Sequence, residues 1–546
     1  MMRAALLALL LAGYAGAQER PAVPIQSSFS GCSPNVVNLG GGPVTIRFSG
    51  NACGGAETAT VRRLEAFLMQ AQSQVENRAI TLSEIVGRTY DLLYRMPKGA
   101  DLHTHLEGAV YAEDILSAAI EQHLCLNRQS MSIWSPPCRP DAITETIDVS
   151  QTLRDAVLRN SVIDSFSMRN FVPGSQTSNN HFYDTFSKFG AVSLDGLVSE
   201  VARRAAAQNE SYLELMALVG GSQVYELGEM VGFDSDFDSE RKKLEEAGLR
   251  KVVASISTRV DRMEQTRIKN LHCDEKPQSN ECRLRVRYIY QVLRGFPREA
   301  VFVDILTGFM LASQDERVAG VTIVQPEDLA GALSDYYLQM KMFEYAKTVF
   351  PAVRVTLSAG EIYPGLVPPE DVRFHIRQAV EVAGADRIGN GVDVVFEEQP
   401  RALLALMRRK RTLVEINLAS NDAVLGVHGD DHPLPVYLAN HVPVALCTDD
   451  EGILRTDLTQ QFLRAVVTYG LTYPQVKTLV RNSLEYSFLA GASYWKDDHY
   501  TNPNESCMSG VRTERCKAFL ASSEKARLQQ DLEDRFAAFE ASNNKH

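Results

Sequence analysis

Residues 99–108 read GADLHTHLEG, and their first half opens a series of eight short β-rich runs that are separated by long amphipathic helical stretches. The eight runs are 100–105, 212–218, 301–310, 318–324, 353–359, 387–392, 413–418 and 442–448. Alternation of strands and helices over about 390 residues predicts a parallel sheet with helices packed against it, in the α/β class. Eight such units predict a (β/α)8 TIM barrel.

The alternative fold is an open, doubly wound sheet. That fold would place a glycine-rich phosphate-binding turn after its first strand, but no GxGxxG or GxxxxGK[ST] motif follows any of the runs. We therefore favour the barrel. The predicted domains are a signal peptide at 1–17, a partly helical N-terminal extension at 18–94, a barrel at 95–496 with a rim insertion at about 110–197, and a C-terminal extension at 497–546.

The composition is that of a globular protein. Of the 546 residues, 45% are hydrophobic and 23% are charged, which excludes a largely disordered or collagen-like chain. The chain has 56 basic and 68 acidic residues, which gives a net charge of −12. Such an acidic chain gains little from counterion release on a phosphate backbone, so we expect no nucleic-acid partner.

The N-terminus has the pattern of a secretory signal peptide. Arg3 is followed by an apolar run at 4–12 and then by Ala15-Gly16-Ala17, a small-residue cleavage site. The run is about half as long as the roughly twenty residues that a membrane-spanning helix needs, which disfavours a retained anchor. We expect cleavage after Ala17, a secreted or periplasmic protein, and no membrane association after cleavage.

Eight of the nine cysteines lie in local pairs that enclose polar or Pro/Gly-rich stretches. The pairs are Cys32/Cys53, Cys125/Cys138, Cys273/Cys282 and Cys507/Cys516. In an oxidising compartment such pairs form disulfides, whereas the absence of any CxxC motif disfavours a cysteine metal site. Cys447 lies in an apolar run and is interpreted as a buried core thiol.

Side chains capable of chemistry follow three of the predicted strands. His103 and His105 are two positions apart on the first run, so they point to one face and can share a metal. Glu361 follows the fifth run, and Asp449 and Asp450 follow the eighth. Because barrel active sites lie at the carboxyl ends of the strands, we expect these side chains to meet. A metal that acidifies water, together with carboxylates that move protons, is what metal-assisted hydrolysis requires.

These motifs and their order resemble those of adenosine deaminases. The similar segments are 96–109 (MPKGADLHTHLEGA), 358–361 (SAGE), 387–391 (RIGNG), 417–421 (NLASN), 432–434 (HPL) and 448–450 (TDD). The resemblance extends over about 95–490. The signal peptide, the helical extension and the cysteine-bearing insertion look most like the secreted, growth-factor-type members of the family.

The resemblance implies one divalent metal, with Zn²⁺ expected and Mn²⁺ or Fe²⁺ as alternatives. Its ligands would be His103, His105 and Asp449, with Ser358 at the position of a further ligand. The resemblance also implies a homodimer formed through the N-terminal helices.

The resemblance further implies a purine nucleoside as the small-molecule substrate. Glu361 would give a proton to purine N1, Asp450 would hydrogen-bond purine N7 and hold the attacking water, and Glu107 would lie near the ribose. Gln325 follows the fourth strand, where a glycine backbone contacts the purine in the family. The reaction would be hydrolytic loss of the 6-amino group, which gives inosine and ammonia.

Three positions depart from the family pattern. Ser358 stands where the family has a histidine ligand, Asn390 stands where it has the histidine that orients and deprotonates the attacking water, and Gln325 stands where it has glycine. A serine hydroxyl is a poor zinc ligand, and asparagine cannot accept a proton. His375, the nearby histidine, is interpreted as lying on the surface of a helix.

Three functions therefore stay open. The chain is an adenosine deaminase with an altered metal site, a related amidohydrolase with another substrate, or a catalytically impaired nucleoside-binding or signalling protein. Retention of Glu361, Asp449 and Asp450 favours an enzyme, while loss of two histidines favours a binding protein.

Overall fold

The computed structural model describes residues 33–37, 45–49, 82–140, 145–174 and 176–543. The chain divides into two compact units. One contains Pro97–Gln461 and Leu479–Glu533, and the other contains the described parts of Met1–Met96, Phe462–Thr478 and Asp534–His546. The predicted signal peptide and most of the predicted N-terminal extension lie outside the described residues, and the predicted domain boundaries stay predictions.

An eight-stranded parallel sheet forms the centre of the larger unit. The strands of the chain are β1 (Ser33–Val37), β2 (Thr45–Ser49), β3 (Gly99–His105), β4 (Cys125–Asn127), β5 (Ser132–Trp134), β6 (Thr146–Asp148), β7 (Glu210–Ala217), β8 (Arg285–Leu293), β9 (Val318–Val324), β10 (Arg354–Ala359), β11 (Arg387–Asn390), β12 (Leu413–Ile416) and β13 (Val444–Leu446). In the sheet, β3 and β7 to β13 follow one another in chain order. A parallel bridge between Thr104 and Asp449 joins the first strand to the end of the last. The predicted TIM barrel is thereby confirmed.

Helices alternate with these strands. They are α1 (Leu82–Arg95), α2 (Leu106–Ala109), α3 (Ala112–Glu121), α4 (Ala156–Ser165), α5 (Ser178–Lys188), α6 (Val198–Ala207), α7 (Ser222–Val231), α8 (Phe237–Ala247), α9 (Leu249–Asn270), α10 (Asn280–Arg283), α11 (Arg298–Gln314), α12 (Ala330–Val349), α13 (His375–Glu381), α14 (Pro400–Lys410), α15 (Leu418–Leu425), α16 (Leu434–Ala439), α17 (Glu451–Leu454), α18 (Leu458–Tyr469), α19 (Tyr473–Glu485), α20 (Glu514–Ser522) and α21 (Glu524–Asn543). None of these described helices is long and apolar enough to cross a membrane.

One predicted strand is wrong. Residues 301–310 belong to helix α11, and the third strand of the barrel is β8, which lies upstream of it. The run is mostly apolar, and periodicity cannot distinguish a buried strand from a helix that is buried on all sides. In the fold α11 is such a helix, because every residue from Ala300 to Leu311 is buried.

The predicted insertion follows β3 and contains a small three-stranded antiparallel sheet in the order β5-β4-β6. Its last long helix, α5, begins after Thr177, whose side chain accepts a hydrogen bond from the backbone of Asn180 and so caps the helix. The insertion thus supplies both a disulfide-bearing subdomain and a helix that reaches the barrel mouth.

Three of the predicted disulfides are present in the described part of the chain. They are Cys125–Cys138, Cys273–Cys282 and Cys507–Cys516. The fourth predicted pair, Cys32/Cys53, lies outside the described residues. Cys447 is a buried free thiol, as predicted.

Candidate active site

Two histidines and an aspartate converge at the carboxyl end of the barrel. His103 Nε2 and His105 Nε2 lie 3.4 and 3.2 Å from Asp449 Oδ1, and the two ring nitrogens lie 3.2 Å apart. Barrel closure produces this arrangement, because the Asp449 amide donates to the His103 carbonyl and the His105 amide donates to the Asp449 carbonyl. The three side chains can therefore offer one ligand atom each to a single metal ion.

A buried carboxylate orients the first of these histidines. His103 Nδ1 lies 2.7 Å from Glu415 Oε2, while Glu415 Oε1 accepts from Arg387 Nε at 2.5 Å and from the Thr356 hydroxyl at 2.8 Å. Burial alone would raise the pKa of Glu415, but Arg387 and the hydrogen bond from His103 hold that pKa below its ordinary value. Glu415 is therefore an acceptor, so His103 carries its proton on Nδ1 and keeps the Nε2 lone pair for a metal.

The charges around the two imidazoles favour a cation. Burial lowers the pKa of His105, but Asp450 and Asp449 outweigh that effect and raise the pKa to about 9. Burial likewise opposes the rise in the pKa of His103, which Asp449 and Glu415 drive. Two buried imidazoles that would otherwise attract protons are suited to bind a divalent cation, which competes with those protons.

Glu107 lies beside this centre. Its Oε1 accepts from the Leu218 amide at 3.0 Å, and its Oε2 accepts from Gln291 Nε2 at 2.9 Å. The oxygen of the Gln291 amide lies 2.8 Å from His105 Nδ1. Sequence analysis missed Gln291 because it placed the third strand in α11 instead of β8.

Ser358 and Asn390 occupy neighbouring positions at the ends of β10 and β11. Asn390 Nδ2 donates towards Ser358 Oγ at 3.5 Å, and Asn390 Oδ1 accepts from Asn417 at 2.9 Å and from Asn421 at 3.0 Å. Two amide donors fix the side chain of Asn390, so it turns its own donor towards Ser358. Asn390 therefore supplies a hydrogen-bond donor at the position where the resemblance places a histidine.

Glu361 follows β10, and its surroundings favour the protonated form of its carboxyl group. Burial of its carboxyl group, followed by the charges of Asp449 and Glu327, raises the pKa of Glu361 to about 8. Its backbone amide donates to Glu327 Oε1 at 2.9 Å, which fixes the turn. The hydroxyl of Tyr183, on α5 of the insertion, donates to Glu361 Oε2 at 3.2 Å. Sequence reasoning missed this contact, because Tyr183 lies in a polar stretch with no motif.

His375 is not on the surface, contrary to the sequence-based interpretation. It is fully buried, its Nδ1 lies 2.5 Å from Glu327 Oε2, and its ring stacks on Tyr336 with 4.1 Å between centroids. Its helix packs against β10, and the ring of Phe374 lies 4.7 Å from the imidazole between centroids. His375 thus supports the residue that holds the Glu361 turn.

Asp450 is buried next to Asp449. Burial and the charge of Asp449 raise its pKa well above the ordinary value, and within the described part of the chain its Oδ1 has no hydrogen-bond partner. A Cβ atom on Gly108 would lie 1.6 Å from that oxygen, so only glycine leaves room for the carboxyl group. Asp450 is thus placed to bind a group that enters the site.

Gln325 follows β9 with a φ of 84°, in the left-handed region that glycine favours. Its Oε1 accepts from the Gly295 amide at 2.8 Å, which ties the ends of β8 and β9 together. The backbone conformation is that expected of a glycine position, and the predicted purine contact of Gln325 stays a prediction.

Known proteins match this chain over part of its length. The family model described as adenosine deaminase matches residues 262–494. An adenosine deaminase of Clostridium perfringens (strain 13 / Type A) is 29% identical over 162 residues, which are 30% of this chain and 44% of that protein. An adenosine deaminase of Salmonella heidelberg (strain SL476) is 34% identical over 137 residues, 25% of this chain and 38% of that protein. The matched region is thus less than half the length of these curated relatives.

The fold also resembles that of solved structures. An Arabidopsis protein named ADAL, crystallised in complex with IMP, aligns over 82% of this chain and 99% of its own, with a TM-score of 0.50 and 17% identity. At that identity, the likeness supports the barrel fold alone.

Proposed function

We propose that this chain, a member of the adenosine deaminase family, is a metal-dependent hydrolase. It would remove the 6-amino group of a purine nucleoside such as adenosine. The products would be inosine and ammonia. The observation that carries the proposal is the convergence of the nitrogen and oxygen atoms of His103, His105 and Asp449 on one point. The raised pKa of the nearby Glu361 carboxyl group supports it. A proton donor next to a cation site is what hydrolysis of an aromatic amidine requires.

The ligand set fits a divalent cation, and we propose Zn²⁺, which imidazole and carboxylate ligands suit. When bound, the cation would supply the Lewis acidity that makes water nucleophilic at neutral pH. His103 and His105 hold it through Nε2, because each turns its Nδ1 to a protein acceptor.

The other residues of the site act on the purine. Glu361 gives its proton to N1, which makes C6 electrophilic. Asp450, whose pKa is raised, donates a hydrogen bond to N7 through the oxygen that has no partner among the described residues. Glu107 binds the ribose hydroxyls through lone pairs that Leu218 and Gln291 do not use. Asn390 cannot take a proton from water, so we expect turnover slower than that of an enzyme with a base at this position, by about 10²- to 10⁴-fold.

The proposal is tested by ammonia release from zinc-loaded protein with adenosine, deoxyadenosine, AMP and adenine as substrates. Glu361→Gln should abolish turnover of whichever purine is used, without loss of zinc. Glu121→Gln changes an exposed residue outside the site in the same way and is the matched control. Turnover that survives Glu361→Gln would contradict the proposed role of this residue.

A second candidate is a nucleoside-binding protein without turnover. The hydrogen bonds that Asn417 and Asn421 donate to Asn390 favour this candidate, because they give Asn390 a structural role at the position where a catalytic base would act. Calorimetric binding of inosine and adenosine, with no ammonia released at any metal loading, would establish this candidate and exclude the enzyme.

We also propose that the protein is exported, to the periplasm or outside the cell. The local disulfides and the apolar N-terminal run support this location. Cell fractionation with mass spectrometry of the N-terminus tests it, and an intact Met1 in the cytoplasmic fraction would refute it. The predicted homodimer and the growth-factor-type subfamily stay predictions.

A further inference from the structure

Gln291 lies between the metal centre and the substrate side of the site. It is a buried residue of β8, only 4% exposed. Its Oε1 lies 2.8 Å from His105 Nδ1, and its Nε2 donates to Glu107 Oε2 at 2.9 Å. One side chain thus contacts both a candidate metal ligand and a candidate substrate-binding carboxylate.

The chemistry of these neighbours fixes the orientation of the amide. An ionised carboxylate only accepts hydrogen bonds, so the amide nitrogen must face Glu107. The amide oxygen then faces His105, which must carry its proton on Nδ1. The Nε2 lone pair of His105 is left pointing towards His103 and Asp449.

We propose that Gln291 is a positioning residue that couples metal binding at His105 to substrate binding at Glu107. It fixes the tautomer and ring orientation of His105, and it fixes the rotamer of Glu107 together with the Leu218 amide. Only the substrate half rests on the proposed function, because the metal half requires no purine.

Comparison with His103 shows why an amide is suited to this place. His103 donates to the Glu415 carboxylate, whose charge Arg387 balances. A carboxylate at position 291 would lie within hydrogen-bond distance of Glu107, and no described lysine or arginine lies within ion-pair distance of Glu107. Glutamine accepts from the imidazole without adding a second negative charge.

The first test measures zinc affinity by competition with a chelator, without substrate. Gln291→Met keeps the size of the side chain and removes both hydrogen bonds. We expect its affinity for Zn²⁺ to be weaker by about 10- to 100-fold, as for loss of other groups that orient metal ligands. Gln529→Met, at a 1% exposed glutamine of α21 that accepts from the Tyr494 amide, is the matched control and should retain wild-type affinity. Equal affinities for the two variants and the wild type would overturn the proposal.

The second test exchanges the two side chains. In Gln291→Glu the two carboxylates repel, and we expect the affinity for inosine to fall by about 10-fold or more. In Gln291→Glu/Glu107→Gln, the new amide accepts from Leu218 and donates to position 291, while the new carboxylate accepts from His105. The double variant should therefore regain inosine affinity to within a few-fold of the wild type, a rescue that a merely space-filling residue would not show.

The outcomes separate this proposal from the proposed function. If wild-type protein binds zinc but not inosine, the proposed function fails, and the zinc affinities of Gln291→Met and of the exchange variant decide the inference. If Gln291→Met does not fold, the zinc affinities of Gln291→Glu and Gln291→Glu/Glu107→Gln are measured in its place. A double variant no better than Gln291→Glu overturns the coupling.

Discussion

Substitution of histidine for Asn390 and Ser358 should raise the rate of adenosine turnover. The contacts of the replaced side chains determine how much stability each substitution loses. Asn390 adopts a φ of 68°, a conformation that histidine also tolerates. Its Oδ1 accepts from two buried amides, Asn417 and Asn421. A neutral imidazole has one lone pair, and a base must keep it for the water, so both amide donors lose their acceptor.

The magnitudes follow from these contacts. Each buried donor left without a partner lowers the free energy of unfolding of Asn390→His by about 1–3 kcal/mol. A base regained next to the attacking water should raise turnover by about 10²- to 10⁴-fold. Ser358→His adds a nitrogen ligand and should tighten zinc binding. Since both changes act on one water, the double variant should gain more than the product of the single gains.

The assay is ammonia release from adenosine by zinc-loaded wild type, both single variants and the double variant, with zinc affinity measured in parallel. Asn390→Leu is the control, because it breaks the same two hydrogen bonds but adds no base. It should lose stability without any gain in turnover. A gain in Asn390→Leu would show that loosening of the site, not a base, is responsible.

Two results would refute the reasoning. Wild-type protein that turns over adenosine at ordinary enzyme rates, with both reversions neutral or harmful, would mean that Ser358 and Asn390 belong to a different working arrangement. A double variant that binds zinc fully yet releases no ammonia would point to another substrate, with Gln325 as the first position to examine.

Three further predictions concern other groups. Turnover should fall as the pH rises above about 8, because Glu361, with its pKa raised to about 8, must be protonated to donate; a pH profile unchanged to pH 10 would contradict this. Burial raises the pKa of Asp304 from 3.8 to about 7 although Tyr290 donates a hydrogen bond to it at 2.6 Å. Between pH 3.8 and about 7, the carboxyl group of Asp304 therefore takes up a proton when the chain folds. The free energy of unfolding should fall by up to about 4 kcal/mol across that range, and Asp304→Asn should flatten the slope in urea titrations at several pH values. Non-reducing peptide mapping should recover the three local disulfides of the described residues, and Cys447 should react with alkylating agents only after unfolding; a reactive Cys447 in native protein would contradict its burial.

Local sequence patterns predicted much of the barrel. Seven of its strands lie at or within a few residues of the predicted runs, because short apolar runs between amphipathic helices carry a recognisable period. The third strand was predicted wrongly for a physical reason: α11 is buried on all sides from Ala300 to Leu311 and is mostly apolar there, as a buried strand would be. His375 failed similarly, since a polar residue in a helical stretch does not reveal that Glu327 and Tyr336 cover it.

The sequence alone indicated which side chains meet at the candidate site. Two positions separate His103 from His105, and on any strand that spacing places both on one face. The same reading identified Glu361 and Asp449 as strand-end carboxylates. Ser358 and Asn390 were visible as departures because they stand inside ordered motifs.

Only the tertiary structure decided how these side chains are held. Glu415 orients His103 across 312 positions of the chain, Gln291 contacts His105 across 186, and Tyr183 contacts Glu361 across 178. None of these contacts leaves a local pattern in the sequence, because each depends on the closure of the barrel or on where an insertion folds back. A residue's own chemistry can be read from the sequence, whereas the proton it carries depends on neighbours that only the closed barrel supplies.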